Sequence, residues 1–336
     1  MCGIVGYIGK KNATPILVEG LKKLEYRGYD SAGVAIINDE GINVVKTKGR
    51  LAVLEDMLNK EPVEGMVGIG HTRWATHGEP NDVNSHPHVS ENGRIALVHN
   101  GIIENYIQIK EFLIGKGYEF KSDTDSEVVA HLIEYNYKGD LVAAVMATLN
   151  EVEGAYAFGV VSIDNPDRLV AARKDSPLIV GLGQGENFIA SDIPAILKHT
   201  RDFLIIEDKE VVSIERDKVE IYNLLGEKQE RGILHVDWDV SQAEKGGYEH
   251  FMLKEIMEQP TVLKNTIQSA LESGENRRII DSLDILKFNR IVITACGSAY
   301  NAGMVAKYVF ELLCRMTVEV ELASEFRYKD PIIDSN

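Results

Sequence analysis

The chain has 336 residues, 44% of them apolar, which is enough for one or two cores and excludes a disordered chain. Lys and Arg number 36 against 52 Asp and Glu, a net charge of −16 that argues against a nucleic-acid backbone as partner. No apolar run approaches the roughly 18 residues of a membrane helix, the start lacks a signal-peptide pattern, and Cys2, Cys296 and Cys314 form no CxxC pair, so the expectation is a soluble, cytoplasmic protein away from membranes.

In chain order, residues 3–9 read as a strand, apolar and bounded by glycine. Asn12 is placed to cap a helix whose Ile16, Leu17, Leu21 and Leu24 share one face. Strands are predicted over 33–37 and 43–48, then a helix near 51–58. Strands over 67–72 and 94–99 flank a long polar segment. Helices follow over 106–114, 127–135 and 141–149. From 155 to 225 the pattern is nearly all β, with strands at 155–161, 169–172, 203–206, 211–214 and 219–222. Many strands with few helices between them predict α+β layers rather than a doubly wound sheet.

The texture changes at residue 226. Residues 226–247 are polar and end in Gly-Gly, as a linker does. Beyond it, two helices over 248–258 and 261–273 are separated at Pro260. A strand over 290–295, a helix over 301–313 and a strand over 317–322 open a parallel α/β domain. One such unit does not close a sheet covered on both faces. The predicted organisation is a domain over 1–225, a linker over 226–247 and the first part of a second domain over 248–336.

Four places carry chemistry. Cys2 becomes the N-terminal residue if Met1 is removed, and its own α-amine, with a pKa of about 8, is then a base for its thiol. The alternative is a packing cysteine. Five of the nine histidines, His71, His77, His86, His88 and His99, lie between 71 and 101 without the spacing of a metal site. Arg73 beside Trp74 is either a solvated charge or a fork for a carboxylate. His99-Asn100-Gly101 ends the predicted strand, as a turn or as an oxyanion hole made of an Asn side chain and a Gly N–H. Asp123 and Asp125 precede a helix, one reading as its N-cap and the other as a partner for an ammonium group. Ser298, at a strand-to-helix junction, is a candidate phosphate contact.

The opening Met-Cys-Gly-Ile-Val-Gly, EYRGYDSAG, HTRWATHGEP with NSHPH, HNGIIEN and SDTDSEV resemble the class II, N-terminal-nucleophile (Ntn) glutamine amidotransferases. ENFIASD, KEIMEQP, ACGSAYNAGMVAKY and ELASEFRY resemble one branch of that family, the isomerising glutamine–fructose-6-phosphate aminotransferases. The resemblance runs over essentially the whole chain. It implies a four-layer αββα Ntn-hydrolase sandwich followed by the start of an α/β sugar-isomerase (SIS) domain. It also implies Cys2 as nucleophile on the L-glutamine amide with its α-amine as base, and Asn100 with the Gly101 N–H as oxyanion hole. Arg73 would pair with the substrate α-carboxylate and Asp125 with its α-amine. Thr76 and His77 would lie in the loop covering glutamine, Trp74 would gate the ammonia path and Arg27 would order the nucleophile's surroundings. No cofactor and no metal is implied. In the family the ammonia aminates fructose 6-phosphate in the SIS domain, giving glucosamine 6-phosphate, and that domain holds the homodimer together.

Two departures qualify the resemblance. The family's second domain is about twice as long as residues 248–336, and its later Ser-rich phosphosugar motif and C-terminal lysine are absent here. Ala299 also stands where the family usually has a second hydroxyl residue, which leaves Ser298 as the sugar-phosphate candidate. The expectation is glutaminase activity without the synthase reaction. The competing readings are another class II amidotransferase and a non-catalytic phosphosugar-binding regulator.

Overall fold

The computed structural model describes residues 2–75, 78–237, 247–272, 282 and 288–332. They fall into two compact units, Met1–Glu244 and Lys245–Asn336. No helix among the described residues is long and apolar enough to cross a membrane.

The first unit has two sheets. The eight-stranded sheet runs, from one edge to the other, β15 (Leu234–His235), β11 (Asp202–Ile205), β9 (Ile179–Leu182), β10 (Asn187–Ala190), β1 (Gly3–Ile8), β4 (Val67–Arg73), β2 (Ser31–Asn38) and β3 (Gly41–Lys48). The seven-stranded sheet runs β14 (Lys228–Gln229), β13 (Val219–Tyr222), β12 (Glu210–Ile214), β8 (Leu169–Lys174), β7 (Gly154–Ser162), β6 (Ile95–Ile103) and β5 (His88–Val89). Strand pairing is antiparallel throughout both sheets.

Side-chain alternation assigns the layers, because successive residues of a strand point to opposite faces. Ile4 and Ile8 of β1 join Ala96 and Val98 of β6 in a core between the sheets. Val5 and Tyr7 face the other way, onto Leu17 and Leu21 of α1 (Ala13–Leu24) and Leu54 of α2 (Leu51–Lys60). Ile95 and Leu97 pack with Leu113 of α3 (Tyr106–Ile114), Val129 and Leu132 of α4 (Asp125–Asn136) and Val145 of α5 (Leu141–Leu149). Helix, sheet, sheet and helix with three cores between them are the four-layer αββα arrangement. Asn12 caps α1 as expected, its Oδ1 accepting from Thr14 N at 3.2 Å.

The structure corrects three expectations here. β14 and β15 lie inside residues 226–247, and β15 pairs with β11, so this part of the expected linker belongs to the first unit. Residues 238–246 lie outside the described residues. Pro260 does not separate two helices. A single helix, α6 (Phe251–Glu272), runs through it, since proline removes one hydrogen bond and bends a helix without having to end it. β6 continues past His99 to Ile103, with Asn100 opposite Ala157 and Gly101 opposite Tyr156.

The second unit, taken by itself, pairs Arg290–Ala295 with Thr317–Leu322 in parallel, joined by the helix Gly297–Cys314. This is the expected strand–helix–strand order. The helix lies close to the sheet at Gly303, where a Cβ would come within 2.9 Å of Ile293.

Candidate active site

The sheet register builds the site. Ile4 is opposite His71 and Gly3 opposite Thr72 across β1 and β4, while Ser31 is opposite Arg73 across β2 and β4. Paired residues share a face, and the face repeats every second residue. Ile4 and Ile69 lie in the inter-sheet core, so Cys2, His71 and Arg73 continue that inner face to its end. On the facing sheet Val98 lies in the same core, and Asn100 continues it.

These side chains meet around Cys2. Trp74 N donates to Cys2 Sγ at 3.2 Å, and the thiol lies 3.5 Å from Trp74 O. Burial pushes the Cys2 thiol up from its ordinary value, partly opposed by the Trp74 hydrogen bond. Asn100 Nδ2 donates to Cys2 O at 3.0 Å. Arg73 is buried and donates through Nη2 to Gly78 O at 3.4 Å. Burial works against its charge, while Cys2, Asp125 and Asp30 work in its favour. Asp30 holds the turn after β4, since its N donates to Arg73 O at 3.0 Å and its Oδ2 accepts from Ala75 N at 2.9 Å.

Asp125 is buried in the first turn of α4 and is tied to the end of β6, its Oδ2 accepting from Ile103 N at 2.8 Å. Ser126 Oγ donates to Asp125 Oδ1 at 3.4 Å and lies 2.8 Å from His99 Nδ1. Neither Asp123 nor Asp125 caps α4, against expectation. Thr124 does, its side chain accepting from Glu127 N, while Asp123 Oδ2 accepts from Asn84 Nδ2 at 3.2 Å. Gly101 has φ +134°, and a Cβ there would lie 2.0 Å from Ala155 O. Only glycine fits this position inside the strand.

A cleft of about 550 Å³ opens over these groups, lined by Cys2, Arg73, Trp74, Asn100, Gly101 and Asp125. Its walls also include His86, Ile102, Glu104, Ser176 and Pro177. The Trp74 ring is 45% exposed and meets Tyr29 edge-on at 5.4 Å. Six residues expected at the site therefore line one cleft. Thr76 and His77 lie outside the described residues. Arg27 falls in the single-turn helix Glu25–Arg27, and its side chain is outside the described set. Ser298 belongs to the second unit, exposed in the first turn of its helix.

The histidines form a buried stack. The His71 and His86 rings are 4.1 Å apart and nearly parallel, and His88 meets His86 edge-on at 4.6 Å. Burial pushes His71 down to about 3 and holds His86 and His88 well below the ordinary imidazole value, so all three are neutral near pH 7. No cluster of three metal-ligating side chains occurs among the described residues. The sequence reading gave no part to Ser126, and His71 entered only as one of the clustered histidines. The period of two along β4 was a usable signal for His71, which sits two residues before Arg73 and so shares its face.

A glutamine amidotransferase domain matches residues 59–221, and a SIS domain matches residues 284–336. The isomerising glutamine–fructose-6-phosphate aminotransferase of Clostridium tetani is 60% identical, over 100% of this chain and 56% of its own length. That of Thermus thermophilus is 52% identical over the same shares. The chain thus spans about half the length of these curated relatives. Among solved structures, the allosteric regulatory enzyme of purine biosynthesis aligns with a TM-score of 0.59 at 28% identity, over 66% of this chain and 49% of that one. The glutamine phosphoribosylpyrophosphate amidotransferase from B. subtilis shares the fold, with a TM-score of 0.60 at 22% identity over 95% of this chain and 65% of that one. With two facing sheets, a cysteine at the head of a central strand and relatives along its entire length, the chain carries a glutamine amidotransferase domain followed by SIS-domain sequence.

Proposed function

We propose that the first unit hydrolyses L-glutamine to glutamate and ammonia with Cys2 as nucleophile. Removal of Met1 frees the Cys2 α-amine, which takes the thiol proton as the sulfur attacks the side-chain amide carbon. The negative charge that develops on the amide oxygen is held by Asn100 Nδ2 and the Gly101 N–H. The amine then passes the proton to the leaving nitrogen, ammonia departs, and water cleaves the thioester to release glutamate. Arg73 pairs with the substrate α-carboxylate and Asp125 with its α-ammonium. Thr76 and His77 cover the substrate, Trp74 gates the ammonia path and Arg27 orders the nucleophile's surroundings. The observation that carries this reading is the convergence of Cys2, Arg73, Asn100 and Asp125 on one cleft.

The test is intact-mass analysis after treatment with an electrophilic glutamine analogue. A single adduct on a chain lacking Met1, absent from Cys2→Ala, is expected. A fully active sample that retains Met1, or a Cys2→Ala variant that hydrolyses glutamine at the parental rate, overturns the assignment.

The 60% identity to isomerising aminotransferases supports a place in amino-sugar synthesis, with fructose 6-phosphate as the ammonia acceptor of the complete enzyme. The SIS match favours this over another class II amidotransferase. On this reading the amidotransferase domain carries the catalysis, residues 248–336 are the first part of the sugar domain, and Ser298 contacts the sugar phosphate. The complete enzyme is a cytoplasmic homodimer joined through that domain. The 336-residue chain alone should release ammonia without forming glucosamine 6-phosphate. Product formation from fructose 6-phosphate and glutamine would refute this.

A further inference from the structure

We propose that His71 is a positioning residue for the glutaminase reaction, locking the Asn100 side-chain amide with its Nδ2 toward Cys2. The proposal rests on the glutaminase function set out above. His71 Nε2 lies 3.1 Å from His99 O and 3.0 Å from Asn100 Oδ1. A backbone carbonyl only accepts, so Nε2 carries the proton and donates to His99 O. The Asn100 atom beside the same N–H is then the amide oxygen, which leaves Nδ2 to donate to Cys2 O at 3.0 Å. The flipped amide would set oxygen against the Cys2 carbonyl and N–H against the His71 N–H, two repulsions in place of two hydrogen bonds. Two main-chain carbonyls at the ends of the relay, His99 O and Cys2 O, therefore determine which end of the amide faces the nucleophile.

The imidazole is well placed to act as a fixed stop. It is 1% exposed and stacked on His86. Its Nδ1 has no partner among the described residues, which suits the tautomer with the proton on Nε2. A group that stabilises an oxyanion must already point at it, because turning a dipole during the reaction costs part of the benefit. An amide free to flip would present oxygen to the developing negative charge for part of the time. The substrate's α-groups are untouched by such a flip, so the effect falls on turnover and not on binding.

The test compares glutamine hydrolysis by H71F, H71N, H71Q, N100A and the double variant H71F/N100A, with thermal unfolding of each. Glutamine extends its amide N–H to about the position of imidazole Nε2, whereas asparagine falls short. H71F and H71N should lower kcat about 10- to 100-fold with KM for glutamine within about three-fold, and H71Q should restore most of the rate. The double variant should be no slower than N100A, since His71 acts only through Asn100. H71N keeps the test open if H71F does not fold. A parental kcat in H71N, a folded H71Q as slow as H71N, or a double variant slowed by the product of the two single effects overturns the proposal. Full activity in N100A removes the Asn100 role itself, which separates failure of the functional reading from failure of the His71 relay.

Discussion

In the first unit both sheets are covered, and apolar side chains such as Tyr7, Phe158 and Phe188 are fully shielded. In the second, Val318 is the only large apolar side chain that is buried among the described residues. Its helix Gly297–Cys314 leaves Val305, Tyr308, Val309, Leu312 and Leu313 exposed at helical spacing, and Tyr308 and Leu313 are 70% and 74% accessible. The difference shows where chemistry can be held. Cys2 extends and Arg73 ends a strand that is paired on both sides, and Asn100 lies within β6 opposite Ala157, with packed layers behind them. A two-stranded sheet with one helix against it has little to fix a side chain to within the tolerance catalysis needs.

The largest effect is expected at the head of β1. Cys2→Ala should reduce glutamate release by at least about 10³-fold, because in the proposed mechanism no other group supplies the thioester. Thermal unfolding of the first unit should be unchanged, since Cys2 lies outside the packed cores. Glutamate formation by a coupled assay checks the rate. A residual activity of more than a few per cent would move the nucleophile elsewhere and weaken the contrast between the units.

Next comes Arg73→Lys. A lysine keeps the charge but lacks the planar fork that grips a carboxylate through two bonds. Loss of one charge-assisted bond, about 2 kcal/mol, should raise KM for glutamine about 30-fold and leave kcat within a few-fold. Equal loss in kcat and none in KM would mean that Arg73 supports the nucleophile and does not bind substrate.

What could be read from the sequence follows from how local each signal is. Helix α1 is legible because Asn12 and the spacing of Ile16, Leu17, Leu21 and Leu24 act within four residues of each other. Cys2 and Arg73 are legible from their neighbours in sequence. The pair Asn100-Gly101 stands out as a candidate oxyanion hole, but its strand conformation is not legible, because Asn-Gly is a turn signal on its own and becomes strand only by pairing with Ala157 and Tyr156 more than fifty residues on. β9 and β10 are four residues each, with glycine at Gly181, too short to show a period. Thr124 displaced Asp123 as the cap of α4 because Asp123 bonds to Asn84, a contact spanning 39 positions. His71 carries no local mark of its partners, Asn100 and the His99 carbonyl.

The histidine stack separates the units by pH. His71 is held at about 3 when folded against an ordinary 6.5 when unfolded. Between these values the unfolded chain binds more protons, so the stability this site contributes is complete above about 6.5 and is lost as pH falls toward 3. The loss is about 1.4 kcal/mol per pH unit for each histidine so held. Urea unfolding of the first unit at pH 6.5, 5.5 and 4.5 should show a steep decline, shallower by about that amount per unit in His71→Gln. The second unit has no buried histidine among its described residues and should lack this decline. Equal slopes in the two units would mean that the histidines are hydrated in solution.

The smallest effect is the one that tests the division itself. Ser298 lies in the first turn of Gly297–Cys314, where Cys296 occupies the cap position without a side-chain cap bond. The uncapped N–H groups there suit a phosphate, and a hydroxyl beside them adds one more donor. None of this enters glutamine hydrolysis if the first unit holds the whole glutaminase site. Ser298→Ala should therefore leave glutamate release within about two-fold of the parent, an exposed substitution with little effect on stability. A five-fold or greater drop in kcat, with unfolding unchanged, would require the second unit to act on the cleft around Cys2. That outcome would make the amidotransferase site depend on sugar-domain sequence, and the His71 and Arg73 variants would then have to be compared again with residues 248–336 removed.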